Sequence, residues 1–216
     1  MIAKVRKKVV ICYMEFKPIT FPKEEIQYIA PSWEDLDSLA FEVSQDIRRD
    51  GLKFDRIVTL AKGGWPMTRS LVDYLEVKEV ASIGVKFYAG INKKLKKPQI
   101  YQDLPVSIKG ERILLFDDVA DSGASLEFVQ KYLQDKEVKS LTTATLFYKP
   151  FSSFKPDYYC SSTKAWIVFP HDVVESIEPL STRWKKNGCS QSEIVNRFEK
   201  LNFSQKVIRE YYLKTK

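Results

Sequence analysis

The stretch RILLFDDVADSGASLEFVQKYLQD, residues 112–135, restricts the fold more than any other part of the chain. Its first part, RILLFDDV, is an apolar run of strand length with little alternation, the pattern of a strand buried on both faces. Its last part, SLEFVQKYLQD, repeats Leu126, Val129 and Leu133 at helical spacing. Asp117 and Asp118 stand near the end of the first part, and Asp121 lies between the two parts in a turn of very small residues. A buried strand that passes through a tight acidic turn straight into a helix is one half of a strand–helix–strand unit, and such units build parallel sheets.

The rest of the sequence extends the alternation. PSWEDLDSLAFEVSQDIRRDG (31–51) reads as a helix with Ser32 at its N-cap, Asp35 facing it, and Leu36, Leu39, Ala40, Val43 and Ile47 on one face. DRIVTLA (55–61) reads as a strand ending at Gly63-Gly64, followed by a helix from Pro66 to about Leu75. VASIGVKFY (80–88), LTTATLFY (141–148) and KAWIVFP (164–170) are further strands, and a helical tail is expected from about Ser181, with a Ser190–Glu193 capping box. Residues 89–110 form a Lys-rich connection, long enough to be a lid or hairpin flap. The expected fold is α/β, a mostly parallel twisted sheet flanked by helices, with a flexible loop or hairpin and a helical C-terminal extension. The expected partition is a domain over 1–174 and an extension over 175–216.

In sheets of this kind ligands bind beyond the carboxyl ends of the strands, where both the acidic turn and Lys62-Gly63-Gly64 fall. Gly123 permits a tight turn, and Ser122, Ala124 and Ser125 leave backbone amides open at the positive end of the next helix, which makes a phosphate cradle. Neither G-x-x-x-x-G-K-[ST] nor G-x-G-x-x-G occurs. Asp117 and Asp118 beside that cradle suit hydroxyls or a bridging Mg²⁺. A phosphate on one side and a diol on the other describe a 5-phosphorylated ribose.

Composition narrows the chemistry. A net charge of +7 favours anionic partners: nucleic acid, a membrane surface or a phosphorylated small molecule. A hydrophobic fraction of 44% suits a globular chain, and no apolar run is long enough to cross a bilayer. The apolar stretch Val9–Tyr13 is short for a secretory signal, so a cytoplasmic protein is expected. Cys12, Cys160 and Cys189 are widely spaced, which argues against a disulfide framework or a zinc site. The single histidine, His171, argues against chemistry that needs several imidazoles.

ILLFDDVADSGAS closely resembles the phosphoribosyl-pyrophosphate (PRPP) signature of type I phosphoribosyltransferases, and the resemblance extends over about residues 30–172. It implies that Asp117 and Asp118 contact the ribose hydroxyls. It also implies that Ala120, Asp121, Ser122, Gly123, Ala124 and Ser125 wrap the 5-phosphate, and that Asp121 handles the proton on the purine N7. Ser122 and Ser125 stand where threonine is frequent, and Ala124 where lysine or glycine is common. TLAKGG (59–64) resembles the family's pyrophosphate loop, with Ala61, Lys62 and Gly63 at the diphosphate and a non-proline cis peptide at Ala61–Lys62. LFYKPF (146–151) and KAWIVFPHD (164–172) are similar to the base-recognition region of 6-oxopurine phosphoribosyltransferases, the xanthine–guanine type above all. There Lys149 matches the donor to the purine O6, Trp166 the stacking aromatic and Ile167 a backbone contact. Asp172 matches an acid near the metal-diphosphate or the 2-substituent.

The resemblance therefore implies a Mg²⁺-dependent enzyme of purine salvage. It would transfer phosphoribosyl from PRPP to N9 of guanine, xanthine or hypoxanthine, with Mg²⁺ held mainly through PRPP and no all-protein metal site. It further implies a homodimer or homotetramer without a stable nucleic-acid partner. Two alternatives stay open. One is a sensor of PRPP or nucleotide that uses the same fold and binds nucleic acid through its basic surface; the other is a phosphoribosyltransferase for another base. The Lys93, Lys94, Lys96, Lys97 cluster is read either as a screen for diphosphate or as a solvated basic hairpin.

Overall fold

A computed structural model describes residues 14–89 and 96–214. Val9–Tyr13, Cys12, Lys93 and Lys94 lie outside the described residues, as do the side chains of Lys96 and Lys97. The elements in chain order are β1 (Tyr28–Ile29), α1 (Trp33–Arg49), β2 (Arg56–Ala61), α2 (Trp65–Tyr74), β3 (Glu79–Ala89), β4 (Lys96–Gln102) and β5 (Arg112–Ala120). They continue with α3 (Ala124–Gln134), β6 (Ser140–Tyr148), β7 (Tyr158–Ser162), β8 (Trp166–Ile167), α4 (Val173–Lys186), α5 (Gln191–Lys200) and α6 (Gln205–Ile208), then a wide helical turn over Arg209–Leu213. No helix among the described residues is long and apolar enough to cross a membrane.

Contacts divide these elements into two compact units: Leu36–Thr163 with Met14, and Glu15–Asp35 with the chain from Lys164 onward. The first unit is built on a six-stranded sheet in the order β4-β3-β2-β5-β6-β7. Every pairing is parallel except β3 with β4, the second of which comes from the Lys-rich connection. The expected α/β architecture is therefore present. In register, Val58 pairs with Leu115 and Leu60 with Ile83, so these side chains share one face. Leu126, Val129 and Leu133 of α3 cover that face in one apolar cluster. Ile57, Leu114 and Phe116 alternate to the opposite face and are fully buried there. At the start of the central strands Arg56 forks onto Glu111, Nε to Oε2 at 2.8 Å and Nη2 to Oε1 at 3.0 Å, tying β2 to the entry of β5.

The second unit pairs β1 with β8 in a short parallel ladder, Tyr28 beside Trp166 and Ile29 beside Ile167. Its core is aromatic: Phe21, Tyr28 and Phe198 surround the fully buried Trp184, with ring centroids 5.1 to 6.0 Å from the indole. The indole Nε1 donates to the Tyr28 hydroxyl at 3.3 Å. Arg183 forks onto Glu24, Nη2 to Oε1 at 2.6 Å. Burial pushes the Glu24 carboxyl up, and the bonds from Arg183 pull it below its ordinary value. Ser190 and Glu193 close the expected capping box on α5.

Two expectations about the elements are corrected, and one strand was not anticipated. KAWIVFP keeps only Trp166–Ile167 as strand, outside the six-stranded sheet. The last strand of that sheet is instead β7, whose ladder with β6 begins at Ala144–Tyr158. Its period-2 signal, Tyr158 and Cys160 buried, is only one turn of pattern long. The tail helix begins at Val173 rather than Ser181, because Pro179 sits inside α4 instead of ending it. The aromatic cluster around Trp184 outweighs the lost backbone hydrogen bond.

Replacing the indole should reveal how much the second core contributes. Trp184→Ala is expected to cost about 3–5 kcal/mol, read as a shifted urea midpoint, with the near-ultraviolet circular dichroism of the aromatic cluster lost.

Candidate functional site: an anion cradle beside an acid pair

Strand β5 carries the acid pair out of the sheet. Alternation turns Asp118 inward, where it is 6% exposed, while Asp117 stays half-buried. The Asp117 carboxylate folds back and accepts from the Asp118 amide at 3.0 Å. The chain then turns through Asp121 and Ser122 to Gly123, whose φ of 86° lies in the left-handed region. A Cβ at Gly123 would stand 2.6 Å from the Phe154 backbone nitrogen and from Ser152 Oγ, so this position excludes a side chain on two independent grounds.

The turn after β6 holds this loop from behind. Lys149 N–H donates to Ala120 O at 3.0 Å, and both the amide and the hydroxyl of Ser153 donate to Ser122 O, each at 3.0 Å. With those carbonyls engaged at the back, Asp117–Gly123, Ser125 and Leu126 enclose a cavity of about 250 Å³. Of the amides that open α3, that of Glu127 donates to Gly123 O at 2.9 Å and that of Ala124 reaches Ser122 Oγ at 3.4 Å; among the described residues those of Ser125 and Leu126 have no acceptor within the helix. An anion in this cavity would meet amide donors and the positive end of α3.

The second expected loop comes to the same place. The Ala61–Lys62 peptide is cis. A Cβ at Gly63 would lie 2.6 Å from Asp118 Oδ2 and 2.8 Å from its Oδ1, so the loop backbone rests directly on the buried carboxylate. Gly64 is fixed below it by its N–H to Leu60 O at 3.1 Å. Lys62 is exposed at the rim.

Lys149 is 4% exposed. Burial pushes its ammonium below the ordinary lysine value, and the negative charge of Asp121 partly restores it. A buried ammonium beside the acidic turn is a hydrogen-bond donor in a poorly hydrated position, suited to an acceptor oxygen. As possible metal donors, Asp117 and Asp118 are hard oxygen ligands suited to Mg²⁺. Two carboxylates leave most of six positions to water or substrate oxygens, which fits an ion brought by the substrate.

Asp117, Asp118, Ala120–Ser125, Ala61, Lys62, Gly63 and Lys149 thus all belong to the first unit, while Trp166, Ile167 and Asp172 belong to the second. In that unit Trp166 is 45% exposed although it pairs with Tyr28 in the ladder. Asp172 precedes α4, and its carbonyl accepts from Ser176 N at 2.9 Å. His171 stacks on Phe169 at 5.0 Å between ring centroids. Sequence reasoning did not pick out Ser153, Phe154 or Thr59, whose buried hydroxyl lies under Gly64. An isolated serine pair after a strand carries no signal of its own.

A family model described as phosphoribosyl transferase domain matches residues 23–176. The hypoxanthine-guanine phosphoribosyltransferase of Streptococcus thermophilus is 25% identical over 143 residues, 64% of this chain and 79% of its own length. The xanthine-guanine phosphoribosyltransferase of Gluconobacter oxydans is 24% identical over 162 residues, 74% of this chain and 94% of that one. Among solved structures, a purine phosphoribosyltransferase from Pyrococcus horikoshii Ot3 superposes with a TM-score of 0.60 at 33% identity, covering 66% of this chain and 92% of that chain.

Gly123→Ala should expose the constraint on the turn. The left-handed φ alone costs about 1–2 kcal/mol, and contact with the Phe154 backbone adds to it. A lower melting temperature is expected together with weaker binding of inorganic phosphate by calorimetry.

Proposed function

Because this chain belongs to the phosphoribosyl transferase domain family, we propose that it transfers the 5-phosphoribosyl group of PRPP to N9 of a 6-oxopurine, releasing diphosphate. The observation that carries this reading is the single cluster formed by the acid pair, the amide-lined cavity, the Gly63 loop and buried Lys149. The family match and the relatives named for hypoxanthine, guanine and xanthine support it.

The protein does little covalent chemistry in this scheme. The amides of the 121–125 turn hold the 5-phosphate, and Asp117 and Asp118 accept from the ribose hydroxyls, which fixes the anomeric carbon before the purine arrives. Lys62 and the Gly63 amide balance the charge that builds on the departing diphosphate. Mg²⁺, when bound with PRPP, supplies further neutralisation of that charge. Asp121 takes up the proton of the purine N7, a role worth about 10²–10⁴ in rate. Lys149 donates to O6 and disfavours adenine, whose amino group opposes an ammonium with another donor. From the resemblance, Trp166 stacks on the base, Ile167 contacts its edge through the backbone, and Asp172 serves the 2-substituent or the metal-diphosphate. The same reading makes the protein a cytoplasmic homodimer or homotetramer.

Diphosphate release should be measured with PRPP, Mg²⁺ and each free base in turn. Turnover is expected with guanine, xanthine or hypoxanthine and not with adenine; no release with any base would favour the sensor. Asp121→Asn should keep PRPP binding and lose about 10²-fold or more in kcat. Lys149→Ala should raise KM for guanine and relax the discrimination against adenine.

The lowered Lys149 value has a pH consequence with a definite sign. Charge on this ammonium is lost as pH rises, and at a lower pH than for an ordinary lysine. The profile of kcat/KM for the base should therefore carry an alkaline limb with its midpoint below 10.5, absent from the residual activity of Lys149→Met. A profile unchanged by that substitution would remove Lys149 from base recognition.

A further inference from the structure

The second unit has a cavity of its own, about 380 Å³, between the Phe21–Lys23 turn and one face of α5. Positions 193, 196, 197 and 200 share that face because they are spaced three and four apart. Lys23, Arg197 and Lys200 border it against the one carboxylate of Glu193, so two positive charges are in excess. That carboxylate is already committed to the Ser190 amide at 2.7 Å.

Arg197 is the informative residue. It is 6% exposed, and its Nη2 donates to Pro22 O at 2.6 Å. Its guanidinium lies over the rings of Phe21 and Trp184 at 5.0 and 5.4 Å. Its Nη1 is shut from solvent with no hydrogen-bond partner among the described residues. A buried cation with an unbonded donor is costly; the Glu193 carboxylate acts on Arg197 through charge alone, and an anion in the adjoining cavity would add to that compensation.

A second observation points the same way. Lys23 has a φ of 59°, a left-handed conformation unfavourable for a residue with a Cβ. Its carbonyl accepts from Asn187 Nδ2 at 3.2 Å, while the preceding carbonyl is the one held by Arg197. The turn is thus held from both sides in a strained form that keeps Lys23 at the border of the cavity.

We infer that this cavity binds a small organic phosphate. A phosphate monoester carries about −1.5 to −2 at pH 7, which matches the excess positive charge. The volume falls in the range of small-molecule sites, roughly 300–1,000 Å³, and leaves room for an organic part against Phe21 and Pro22. The family match ends at residue 176, so the α5 wall of the site lies outside the matched domain.

Cys189 borders the cavity and is partly accessible, which supplies a direct reporter. The intact protein would be alkylated with iodoacetamide in the presence of glycerol 3-phosphate, citrate or sodium chloride at equal ionic strength, with Cys189 followed by peptide mass mapping. Glycerol 3-phosphate should slow alkylation of Cys189. In Lys23→Ala/Lys200→Ala, where both side chains are exposed and the fold is expected to persist, the concentration for half-protection should rise roughly tenfold or more. Alkylation unaffected by glycerol 3-phosphate, or equal protection in the double variant, overturns the site. Protection by citrate without protection by glycerol 3-phosphate overturns the phosphate class. No phosphoribosyl transfer enters this readout, so its failure is separate from failure of the proposed activity.

Discussion

Two carbonyls turned the same way decide the cradle. Ala120 O and Ser122 O are both drawn toward the turn after β6, by Lys149 N–H and by the two donors of Ser153. Peptide planes are rigid, so fixing a carbonyl on one side fixes the neighbouring amide on the other. That turns the amides of Asp121 and Gly123 away from the support and toward the cavity side, while Gly123 itself is pressed against Phe154. The same turn begins with Lys149, so the residue proposed to read the base and the loop proposed to hold the phosphate share one support. Loss of that support would disturb both at once.

A comparable economy holds at Gly63. Because the loop backbone rests on the buried Asp118 carboxylate, the acid pair and the Gly63 loop are one surface and not two neighbouring features. Asp118 gains its position from strand alternation, Gly63 from the absence of a Cβ, and neither would serve with the other altered. The second unit follows different physics. It is held by an aromatic cluster around Trp184 and the half-buried Glu24–Arg183 fork, and its excess charge collects at the face of α5.

Much of the first unit was legible in the sequence because its signals are local. The apolar run 113–116 reads as a strand buried on both faces, and Gly123 before Leu126, Val129 and Leu133 reads as the opening of a helix. The cis peptide at Ala61–Lys62 followed from resemblance alone; nothing in the residue types of TLAKGG requires it. What escaped was weakly patterned or contradicted by local preference. YYCSS is too short to announce the sheet's last strand, and Pro179 argues locally against the helix that tertiary packing nevertheless builds around it.

By itself, then, the sequence determined the alternation of strands and helices, the positions of the acids and glycines, and the family to which their spacing belongs. These are matters of backbone preference and side-chain period, carried by neighbours along the chain. Tertiary structure alone decided that Ser153 and Phe154 would brace the 121–125 turn, that Lys149 would be buried near Asp121, and that Arg197 would be shut away with its Nη1 unbonded among the described residues. Each of these depends on residues tens of positions apart being brought into contact, and on the loss of water around a charge. Neither is encoded in any short stretch.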